Sequence, residues 1–456
     1  MELAGKRVLV VGAGKSGLSA ARFLLARGAE VTLTDSKDAK ELHLVRDDSL
    51  QGLHLALGTY PDVTDGWDFV VTSPGVPPAI APLAGARKAG IPVTGEFELA
   101  TQYAQSPVVA ITGTNGKTTT TALCGQIFRD AGLKTLVAGN IGIPLTSEVE
   151  GFGANGIIVA EVSSFQLETA TTFHPKVAVI LNITPDHLDR HGTLENYARV
   201  KAAVFANQTP EDWTILNFDD PYTASLAGQS RGRVIFFSRK HSLDRGVFVR
   251  KGRIVIQDSE TSWDIMDRAA VSLPGNHNLE NSLAAAAAAW VMGVPRESIA
   301  QTLALFPGVP HRLEFVAEVG GVRYVNDSKG TNPDASTKAL EAYEDPIVLI
   351  AGGRNKGNDF DGFGRLIKEK VRVLVVLGES AGQIADAAQK AGFTDILQAS
   401  DLQSAVRLAH GAAQPGEVVL LSPACASWDM FRSYEERGDL FRRTVLSLAR
   451  RPADAG

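Results

Sequence analysis

The chain has 456 residues, of which 44% are hydrophobic and 21% are charged, and its formal net charge is −6 at pH 7. This length exceeds what one hydrophobic core supports, so two to four domains are expected. The acidic balance argues against a general nucleic-acid binder, because such proteins bind by neutralising phosphates.

Other function classes are excluded by simple features of the sequence. Two cysteines, Cys124 and Cys425, cannot build a disulfide framework or a thiolate metal cluster. The longest apolar run, at residues 284–292, is far too short for a membrane span, and residues 1–7 lead straight into a strand without a signal-peptide pattern. We therefore expect a soluble cytoplasmic protein that binds neither membrane nor nucleic acid.

The first segment opens with a strand at Arg7–Val11 and a glycine turn, G-x-G-x-x-G, at residues 12–17. A second strand ends at Asp35, a third is expected at Phe69–Thr72, and the domain should end near Gly95. In isolation this fingerprint suggests a dinucleotide site with Asp35 on a ribose. The same turn also serves other phosphates, or none. By itself it predicts an anion site at the start of the helix.

The second segment begins with an apolar strand and the sequence TGTNGKTT at residues 112–119. Strand, glycine turn, Lys-Thr and helix form the layout of a triphosphate cradle, in which Lys117 neutralises the phosphates and Thr118 can ligate Mg²⁺. The general P-loop pattern requires glycine where this chain has Ile111, so the match is incomplete. A plain turn would explain Gly113 and Gly116, but not the Lys-Thr-Thr that follows.

Two more apolar runs, at residues 156–161 and 176–182, are typical of buried parallel strands. Glu161 ends the first, where open α/β sheets bind ligands, and is either an Mg²⁺ ligand or a helix-capping acid. His187 follows the second strand between Asp186 and Asp189, which favours a place in the site. Lys201 lies in a helix expected at residues 194–205, and its residue type alone indicates an ordinary solvated lysine.

Further candidate ligand-binding residues occur after residue 270, two asparagines first and then four cations. Asn278 and Asn281 stand three residues apart at an Ala-rich helix expected at residues 281–292, so both could reach one ligand, and Asn278 could also cap the helix. The third segment starts near Gly308, with strands at residues 346–351, 371–377 and 417–421. Cations past its apolar strands argue for an anionic substrate; they are Arg312, Lys329, Arg354 and Lys356.

Taken together, these motifs resemble the Mur ligases of bacterial cell-wall synthesis and their folylpolyglutamate synthetase relatives. The short TGTNGKT loop is characteristic of that group and accounts for Ile111. Within the group, NDSKGTN at residues 326–332 and SPACAS at residues 422–427 look like the D-glutamate-adding member. The resemblance implies an α/β fold with three domains. These are an N-terminal Rossmann-like domain at 1–95, a central P-loop ATPase-like parallel sheet at 96–307 and a C-terminal Rossmann-like domain at 308–456.

The function implied by the resemblance is that of an ATP-dependent ligase. It would add D-glutamate to UDP-N-acetylmuramoyl-L-alanine through an acyl phosphate, giving ADP and phosphate, with ATP and two Mg²⁺ ions, as a cytoplasmic monomer in peptidoglycan precursor synthesis. A folylpolyglutamate synthetase is the first alternative, and the N-terminal glycine-turn domain argues against it. An NAD-dependent oxidoreductase would leave the P loop, Glu161 and His187 without a role. A regulatory nucleotide-binding module without catalysis is the last alternative.

The resemblance also assigns residues to roles. The catalytic set is Lys117, His187, Lys201 and Glu161. ATP would be bound by Gly113, Thr114, Asn115, Gly116, Lys117, Thr118 and Thr119, by Asn278 and Asn281 near the base, and by Arg312 and Asp327. The UDP substrate would contact Ser16, Asp35, Ser36, Gly75 and Asn140. D-Glutamate would contact Lys329, Thr331, Lys356, Ser427 and Tyr434. The metal ligands would be Thr118, Glu161, His187 and a carbamylated Lys201.

Carbamylation of Lys201 depends on its surroundings. At the reference pKa of about 10.4, roughly one lysine in a thousand is neutral at pH 7 and able to attack CO₂. Burial can lower a lysine pKa by up to ~3–5 units. A buried Lys201 could therefore be modified, while an exposed one should remain an ammonium.

Overall fold

The computed structural model describes residues 2–42, 48–64, 66–140 and 142–449. Its strands form three separate sheets with helices around them, which confirms the α/β fold with three parallel-rich sheets. Two compact units are present: Met1–Ala270 with Glu280–Leu303, and Val271–Leu279 with Ala304–Gly456. The first two sheets belong to the first unit and the third sheet to the second. The domain boundaries at residues 95 and 307 stay predictions.

The first sheet is fully parallel, in the order β3-β2-β1-β4-β5. Since β1 and β4 are neighbours and the chain leaves β1 towards β2 on its other side, the loops after β1 and β4 border the crevice where doubly wound sheets bind ligands. Its strands are β1 Arg7–Val11, β2 Glu30–Asp35, β3 His54–Leu57, β4 Phe69–Thr72 and β5 Val93–Gly95.

The second sheet has nine strands, in the order β14-β13-β12-β11-β10-β9-β6-β8-β7. The strands from β6 to β12 pair in parallel, and β13 and β14 return antiparallel. They are β6 Val108–Thr112, β7 Thr135–Gly139, β8 Ile157–Glu161, β9 Val177–Ile180, β10 Trp213–Asn217, β11 Arg233–Ser238, β12 Gly246–Arg250, β13 Arg253–Gln257 and β14 Ser262–Asp267.

Helices of the first unit cover the two sheets. Those before residue 270 are α1 Lys15–Leu25, α2 Ala81–Lys88, α3 Glu96–Thr101, α4 Lys117–Asp130, α5 Val149–Phe152, α6 Ser164–Leu167, α7 Leu188–His191, α8 Leu194–Ala202 and α9 Pro221–Ser225. The expected helix at 194–205 is therefore shorter, since α8 ends at Ala202 and a 3₁₀ turn, Ala203–Phe205, follows.

A single hydrophobic core joins the first two sheets. It contains Phe23 and Leu24 of α1 together with Leu145 and Val149, which lie between β7 and β8. Because this cluster is continuous, separating the two sheets would expose its apolar surface to water, at a free-energy cost of about 25 cal/mol for each Å² exposed. The first and second sheets thus share one hydrophobic core.

The third sheet has the order β15-β16-β20-β17-β18-β19, antiparallel only at β15. Its strands are β15 Glu314–Val319, β16 Val322–Asn326, β17 Ile347–Gly352, β18 Val371–Leu377, β19 Ile396–Gln398 and β20 Val418–Leu421. The remaining helices are α10 Asn276–Val291, α11 Arg296–Leu305, α12 Pro333–Glu341, α13 Asp361–Lys370, α14 Ala381–Lys390, α15 Leu402–Ala412 and α16 Tyr434–Ala449.

The buried side chains of this sheet fall into two clusters, one containing Leu349 and Leu420 and the other Ile350 and Leu421. Successive residues of one strand thus point to opposite, covered faces, which explains the unbroken apolar runs. Among the described residues, no helix has the length and apolar character needed to cross a membrane.

Candidate active site

Three strand ends meet at one edge of the second sheet. Ile111 of β6 lies opposite Glu161 of β8, and Thr112 lies opposite Ile180 of β9. The TGTNGKTT loop therefore lies beside Glu161 on one side and the segment from Asn182 on the other. This is the edge at which open α/β sheets bind ligands.

The glycine loop is held by its neighbours and leads into α4. Asn182 accepts a hydrogen bond from the Asn115 N–H at 2.9 Å and donates its side-chain amide to the Asn115 carbonyl at 3.1 Å. The Thr114 hydroxyl bonds the backbone of Thr184 in the same way. Thr118 and Thr119 occupy the first turn of α4, so their N–H groups lie at a helix start, where anions bind. Sequence analysis assigned no role to Asn182.

Gly116 has little room for any side chain. Its φ is +84°, and an added Cβ would lie 2.2 Å from Oδ1 of Asn281. We expect Gly116→Ala to weaken ATP binding, because the loop must shift, and to cost at least about 1–2 kcal/mol of backbone strain. Gly132→Ala is the matched control, since its φ is +78° with nothing within 4 Å. The rise in melting temperature on adding ATP measures the effect. If this rise falls equally in both variants, contact with Asn281 does not explain why position 116 needs glycine.

Two lysines share one carbonyl of the loop. Lys117 Nζ donates to Gly113 O at 2.8 Å and to Thr114 O at 2.7 Å, and Lys201 Nζ donates to Gly113 O at 2.8 Å. Lys201 is only 1% exposed and lies 4.4 Å from the Tyr197 ring centroid. Burial, together with the Lys117 charge and against the attraction of Asp186, lowers the pKa of Lys201 well below its ordinary value. The reading of Lys201 as a solvated lysine is wrong.

Glu161 is buried, with one oxygen engaged and one without a partner. Asn140 donates its amide to Oε1 at 2.8 Å, and Oε2 has no hydrogen-bond partner among the described residues. The helix-capping alternative is wrong, because Ser163 caps α6 through a reciprocal pair of bonds with Gln166. A buried carboxylate oxygen without a donor suits a hard cation such as Mg²⁺.

His187 and His191 have different environments. His187, half-exposed at φ +51°, packs 4.8 Å from the Phe165 ring centroid, with Nε2 3.6 Å from Asp186. His191 is buried, and its Nε2 lies 3.0 Å from the Ser164 hydroxyl. Burial lowers the pKa of His191, opposed by the charge of Glu168. His187 is therefore the histidine open to a ligand, and His191 is structural.

The donor set fits a shared Mg²⁺ site better than a complete protein cage. In the described part of the chain, no group of three or more His, Cys, Asp or Glu side chains is arranged to hold a metal. Mg²⁺ usually takes one or two carboxylates and completes its shell with water and substrate phosphates. Glu161 and the half-buried Thr118 beside the glycine loop match that pattern.

Of the residues predicted for the UDP substrate, Ser16 and Gly75 follow β1 and β4 at the crevice of the first sheet, and Asp35 and Ser36 lie at the end of the adjacent β2. Asn140 lies apart from them, on the second sheet beside Glu161. Asp35 braces the glycine turn, because its Oδ2 accepts from the Ala13 N–H at 2.8 Å and its Oδ1 from the Lys37 N–H at 3.0 Å. Ser16 is in the first turn of α1, and Ser36 and Gly75 are exposed on the loops after β2 and β4.

A cleft between the first two sheets lies near this crevice. It is lined by the loop after β4, including Ser73 and Val76, and by Phe165 and Arg190 on the second sheet's side. Arg190 donates to the Val76 carbonyl at 3.1 Å and pairs with Glu168 at 2.5 Å. The loop after β4 and the segments after β8 and β9 thus meet at this cleft. Sequence analysis gave Arg190 no role.

In the second unit, Asp327 ties together several loops. It is fully buried, with Oδ2 accepting from the Ser422 hydroxyl at 2.8 Å and Oδ1 lying 3.6 Å from Arg312 Nη1. Burial raises the pKa of Asp327, and the Arg312 charge opposes this. The ends of β16 and β20 are thereby joined to the turn that carries Arg312. The contact of both residues with ATP stays a prediction.

A buried arginine, Arg437 of α16, hydrogen-bonds the loops that carry the residues predicted to bind D-glutamate. It is 1% exposed, and its Nε and Nη2 donate to the Ser328 hydroxyl at 3.0 Å and the Ser328 carbonyl at 2.8 Å. Nη2 also reaches the Cys425 carbonyl at 3.2 Å. Burial lowers the pKa of Arg437 to about 10. Arg437 was not predicted to belong to the site, because an arginine within a charged helix is typical of a surface.

The predicted D-glutamate residues have varied settings. Lys329 Nζ lies 5.4 Å from the ring centroid of Tyr434, while Ser427 is buried and Lys356 exposed. The Thr331 N–H donates to the Lys329 carbonyl at 2.9 Å. Arg354 forms a bidentate pair with Glu379, so its charge is already matched on the surface. Arg354 therefore does not support the prediction of an anionic substrate.

Helix α10 begins earlier than expected. Its first residue is Asn276, so Asn278 is inside the first turn and does not cap it. The Asn278 amide donates to the Pro274 carbonyl at 2.7 Å. Asn281 follows one turn later, beside Gly116 as described above. Contact of both asparagines with the base of ATP stays a prediction.

Comparison with known proteins identifies the family. The Mur ligase middle-domain model matches residues 111–289, the MurD-like N-terminal model residues 6–95, and the glutamate ligase domain model residues 311–425. The UDP-N-acetylmuramoylalanine–D-glutamate ligase of Pelotomaculum thermopropionicum is 60% identical over 446 residues, which cover 97% of this chain and 98% of that protein. The chain belongs to the Mur ligase family.

Other Mur ligases support the same assignment. A ligase of the same name from Thermoanaerobacter pseudethanolicus is 47% identical over 99% of this chain and 100% of its own. The structure of UDP-N-acetylmuramate-alanine ligase from Thermotoga maritima matches with a TM-score of 0.61 over 97% of this chain and 99% of that chain, at 19% identity. The latter likeness supports the fold. Family membership also rejects the oxidoreductase alternative for the glycine turn at residues 12–17.

Proposed function

We propose that this Mur ligase is the ATP-dependent enzyme that adds D-glutamate to UDP-N-acetylmuramoyl-L-alanine in peptidoglycan precursor synthesis. The observation that carries the proposal is the cluster at the glycine loop, where Lys117 and Lys201 share the Gly113 carbonyl next to buried Glu161. Relatives at 60% and 47% identity are named for this reaction. The folylpolyglutamate alternative leaves the N-terminal sheet and its Gly-rich crevice unexplained.

The reaction joins a carboxylate to an amine in two steps. A carboxylate oxygen of the alanyl group attacks the γ-phosphorus of ATP, and ADP leaves. The amine of D-glutamate then attacks the acyl carbon, phosphate leaves, and the nitrogen loses a proton. Both steps bring anions together, so the chain must supply fixed positive charge and hold the groups in line. Lys117 and the N–H groups at the start of α4 are placed to do so.

Mg²⁺ would be held by Glu161, Thr118 and His187, and when bound it neutralises phosphate charge. We propose two such ions. A carbamate on Lys201 would replace a cation with a carboxylate-like ligand near Glu161. The buried amine with its lowered pKa supports that modification, because the neutral form attacks CO₂.

The N-terminal crevice would hold the uridine diphosphate end through Ser16, Asp35, Ser36 and Gly75, with Asn140 near the muramoyl-peptide end. Lys329, Thr331, Lys356, Ser427 and Tyr434 would receive D-glutamate. We also propose that the enzyme acts as a monomer in the cytoplasm.

One assay tests the proposal. Phosphate release is followed with ATP, Mg²⁺, UDP-N-acetylmuramoyl-L-alanine and D-glutamate, and each component is omitted in turn. We expect release only in the complete mixture, together with a dipeptide-bearing product. Release that continues without D-glutamate, or a folate substrate that replaces the UDP-sugar, would reject the proposal.

A further inference from the structure

The short helix α3 connects the first two sheets, and it is bound tightly to the second. It follows β5 directly and precedes β6 by six residues. Its two acids, Glu96 and Glu98, are each 1% exposed. Two carboxylates inside one linker helix are unusual, because buried acids are costly unless hydrogen-bonded.

Each acid accepts two hydrogen bonds from one threonine of the second sheet's domain, an arrangement we call a clamp. Glu96 Oε1 accepts from the Thr146 N–H at 2.8 Å and from its hydroxyl at 2.7 Å. Glu98 Oε1 accepts from the Thr172 N–H at 2.7 Å and from its hydroxyl at 2.5 Å. The same two-bond clamp therefore occurs twice, on either side of α3.

The first clamp continues into the N-terminal sheet's domain. The Thr146 hydroxyl lies 2.7 Å from the hydroxyl of Ser19 on α1. Since the Thr146 hydroxyl donates to Glu96, Ser19 is the donor to Thr146. One buried chain of bonds thus joins α1, the turn Leu145–Ser147 and α3.

Thr146 also belongs to the segment that contacts Glu161, the proposed Mg²⁺ ligand. That segment follows β7 and includes Asn140, whose amide bonds Glu161. Gly95, just before α3, approaches the second domain so closely that a Cβ there would lie 2.4 Å from the Thr169 hydroxyl. The chain from Gly95 to Glu98 is therefore held against the second domain at three positions.

Stability alone is a poor account of these clamps. Oε2 of both Glu96 and Glu98 is buried without a hydrogen-bond partner among the described residues. Such an arrangement leaves polar atoms desolvated, and an apolar linker helix of the same shape would avoid that cost. The two pairs of hydrogen bonds instead fix the position and direction of α3 relative to Thr146 and Thr172.

We propose that α3 is a rigid spacer which sets the distance between the N-terminal crevice and the glycine loop, with Glu96 and Glu98 as positioning residues for ligation. This rests on the proposed function, in which the UDP end binds at the crevice and the reacting carboxylate must meet ATP at the loop. A fixed spacer places that carboxylate in line with the γ-phosphate. Loosening it should lower kcat while leaving substrate binding largely intact.

The test removes both threonine hydroxyls with little change of shape, in Thr146→Val/Thr172→Val. We expect kcat to fall roughly tenfold, since small misplacements of reacting groups can cost up to about 10² in rate. The KM values for ATP, the UDP-sugar and D-glutamate should each stay within about twofold, because the spacer acts on the alignment of the reacting groups in the transition state and not on ground-state binding. Thr146→Ser/Thr172→Ser keeps both hydroxyls and should behave as wild type.

Thr171→Val is the matched control. Thr171 is the exposed neighbour of Thr172 and accepts a bond from Asn207 through its backbone carbonyl, which valine retains. If the double valine variant does not fold, the single Thr172→Val variant is measured in its place, because Thr172 lies at an exposed position where the substitution disturbs folding less.

A distance measurement supplies a readout independent of catalysis. Spin labels at Lys88→Cys on α2 and Arg129→Cys on α4 report the separation of the two domains, and the two native cysteines are buried. We expect a narrow distance distribution that broadens in the valine pair. Unchanged kcat in an active enzyme, or equal losses in the valine and serine pairs, would overturn the spacer. A wild type without D-glutamate-dependent phosphate release would instead reject the proposed function, whatever the labels show.

Discussion

Replacement of Lys201 by alanine should lower D-glutamate-dependent phosphate release by at least about a hundredfold, the scale of losing one preorganised charged group. Small carboxylic acids such as acetate should restore part of the activity. The structure gives the reason, because the Lys201 amine is buried beside Gly113 and Tyr197 with a lowered pKa. A neutral amine there can take up CO₂, and acetate in the space left by alanine can imitate the resulting carboxylate.

The control for this variant is Arg199→Ala on the same helix. Arg199 is exposed and bonds Asn196 one turn earlier, at 2.7 Å, so its loss should leave activity near wild type. NMR of the wild type with isotopically labelled bicarbonate should show a carbamate signal that is missing in Lys201→Ala. Full activity of Lys201→Ala, or an identical signal in both proteins, would contradict the carbamate.

Glu161→Gln should reduce Mg²⁺-dependent activity by at least about a hundredfold and yet leave stability in metal-free buffer unchanged or higher. The glutamine carbonyl can still accept the Asn140 amide at the place of Oε1. Its uncharged second group replaces the buried Oε2 that has no partner in the described part of the chain. The substitution therefore removes the proposed metal ligand while keeping the hydrogen bond to Asn140.

Thermal unfolding with and without Mg²⁺ and ATP separates these effects. Wild type should gain stability from the pair of ligands, whereas Glu161→Gln should gain much less, because binding to the native state is what stabilises it. Glu369→Gln, at an exposed acid on α13, is the control and should respond as wild type. A metal-free Glu161→Gln that melts well below wild type would show a structural role.

Much of the fold could be predicted because strand and turn signals were local. Strands such as β6, β8 and β9 are nearly continuous apolar runs, and polar residues follow at their ends. The strands from β10 to β14 were all missed, as were β3, β5, β7, β15 and β19. Among them is the β12–β13 hairpin, in which Lys251 and Gly252, both at positive φ, form the two-residue turn. A Lys-Gly pair is a weaker hairpin signal than Asn-Gly, which explains the omission.

The site was predicted less completely, because burial and pairing depend on distant parts of the chain. Residue type alone placed Lys201 on the surface, and only the resemblance to Mur ligases pointed to the site. Asn182 and Arg437 act by bonding backbone far away in sequence, for which no spacing rule exists. Arg354 shows the reverse error, since Glu379, 25 residues later, already matches its charge.

The core shared by the first two sheets bears on how this chain can be divided. In a fragment that starts after residue 95, Leu145 and Val149 would lose the partners that α1 provides, and Thr146 would lose Ser19. Such a fragment should aggregate rather than bind nucleotide. Chimeras that exchange the N-terminal domain between relatives must therefore exchange the facing surface around Leu145 as well. We therefore expect the N-terminal sheet and the second sheet to fold as one unit, and the N-terminal part not to act as a detachable module.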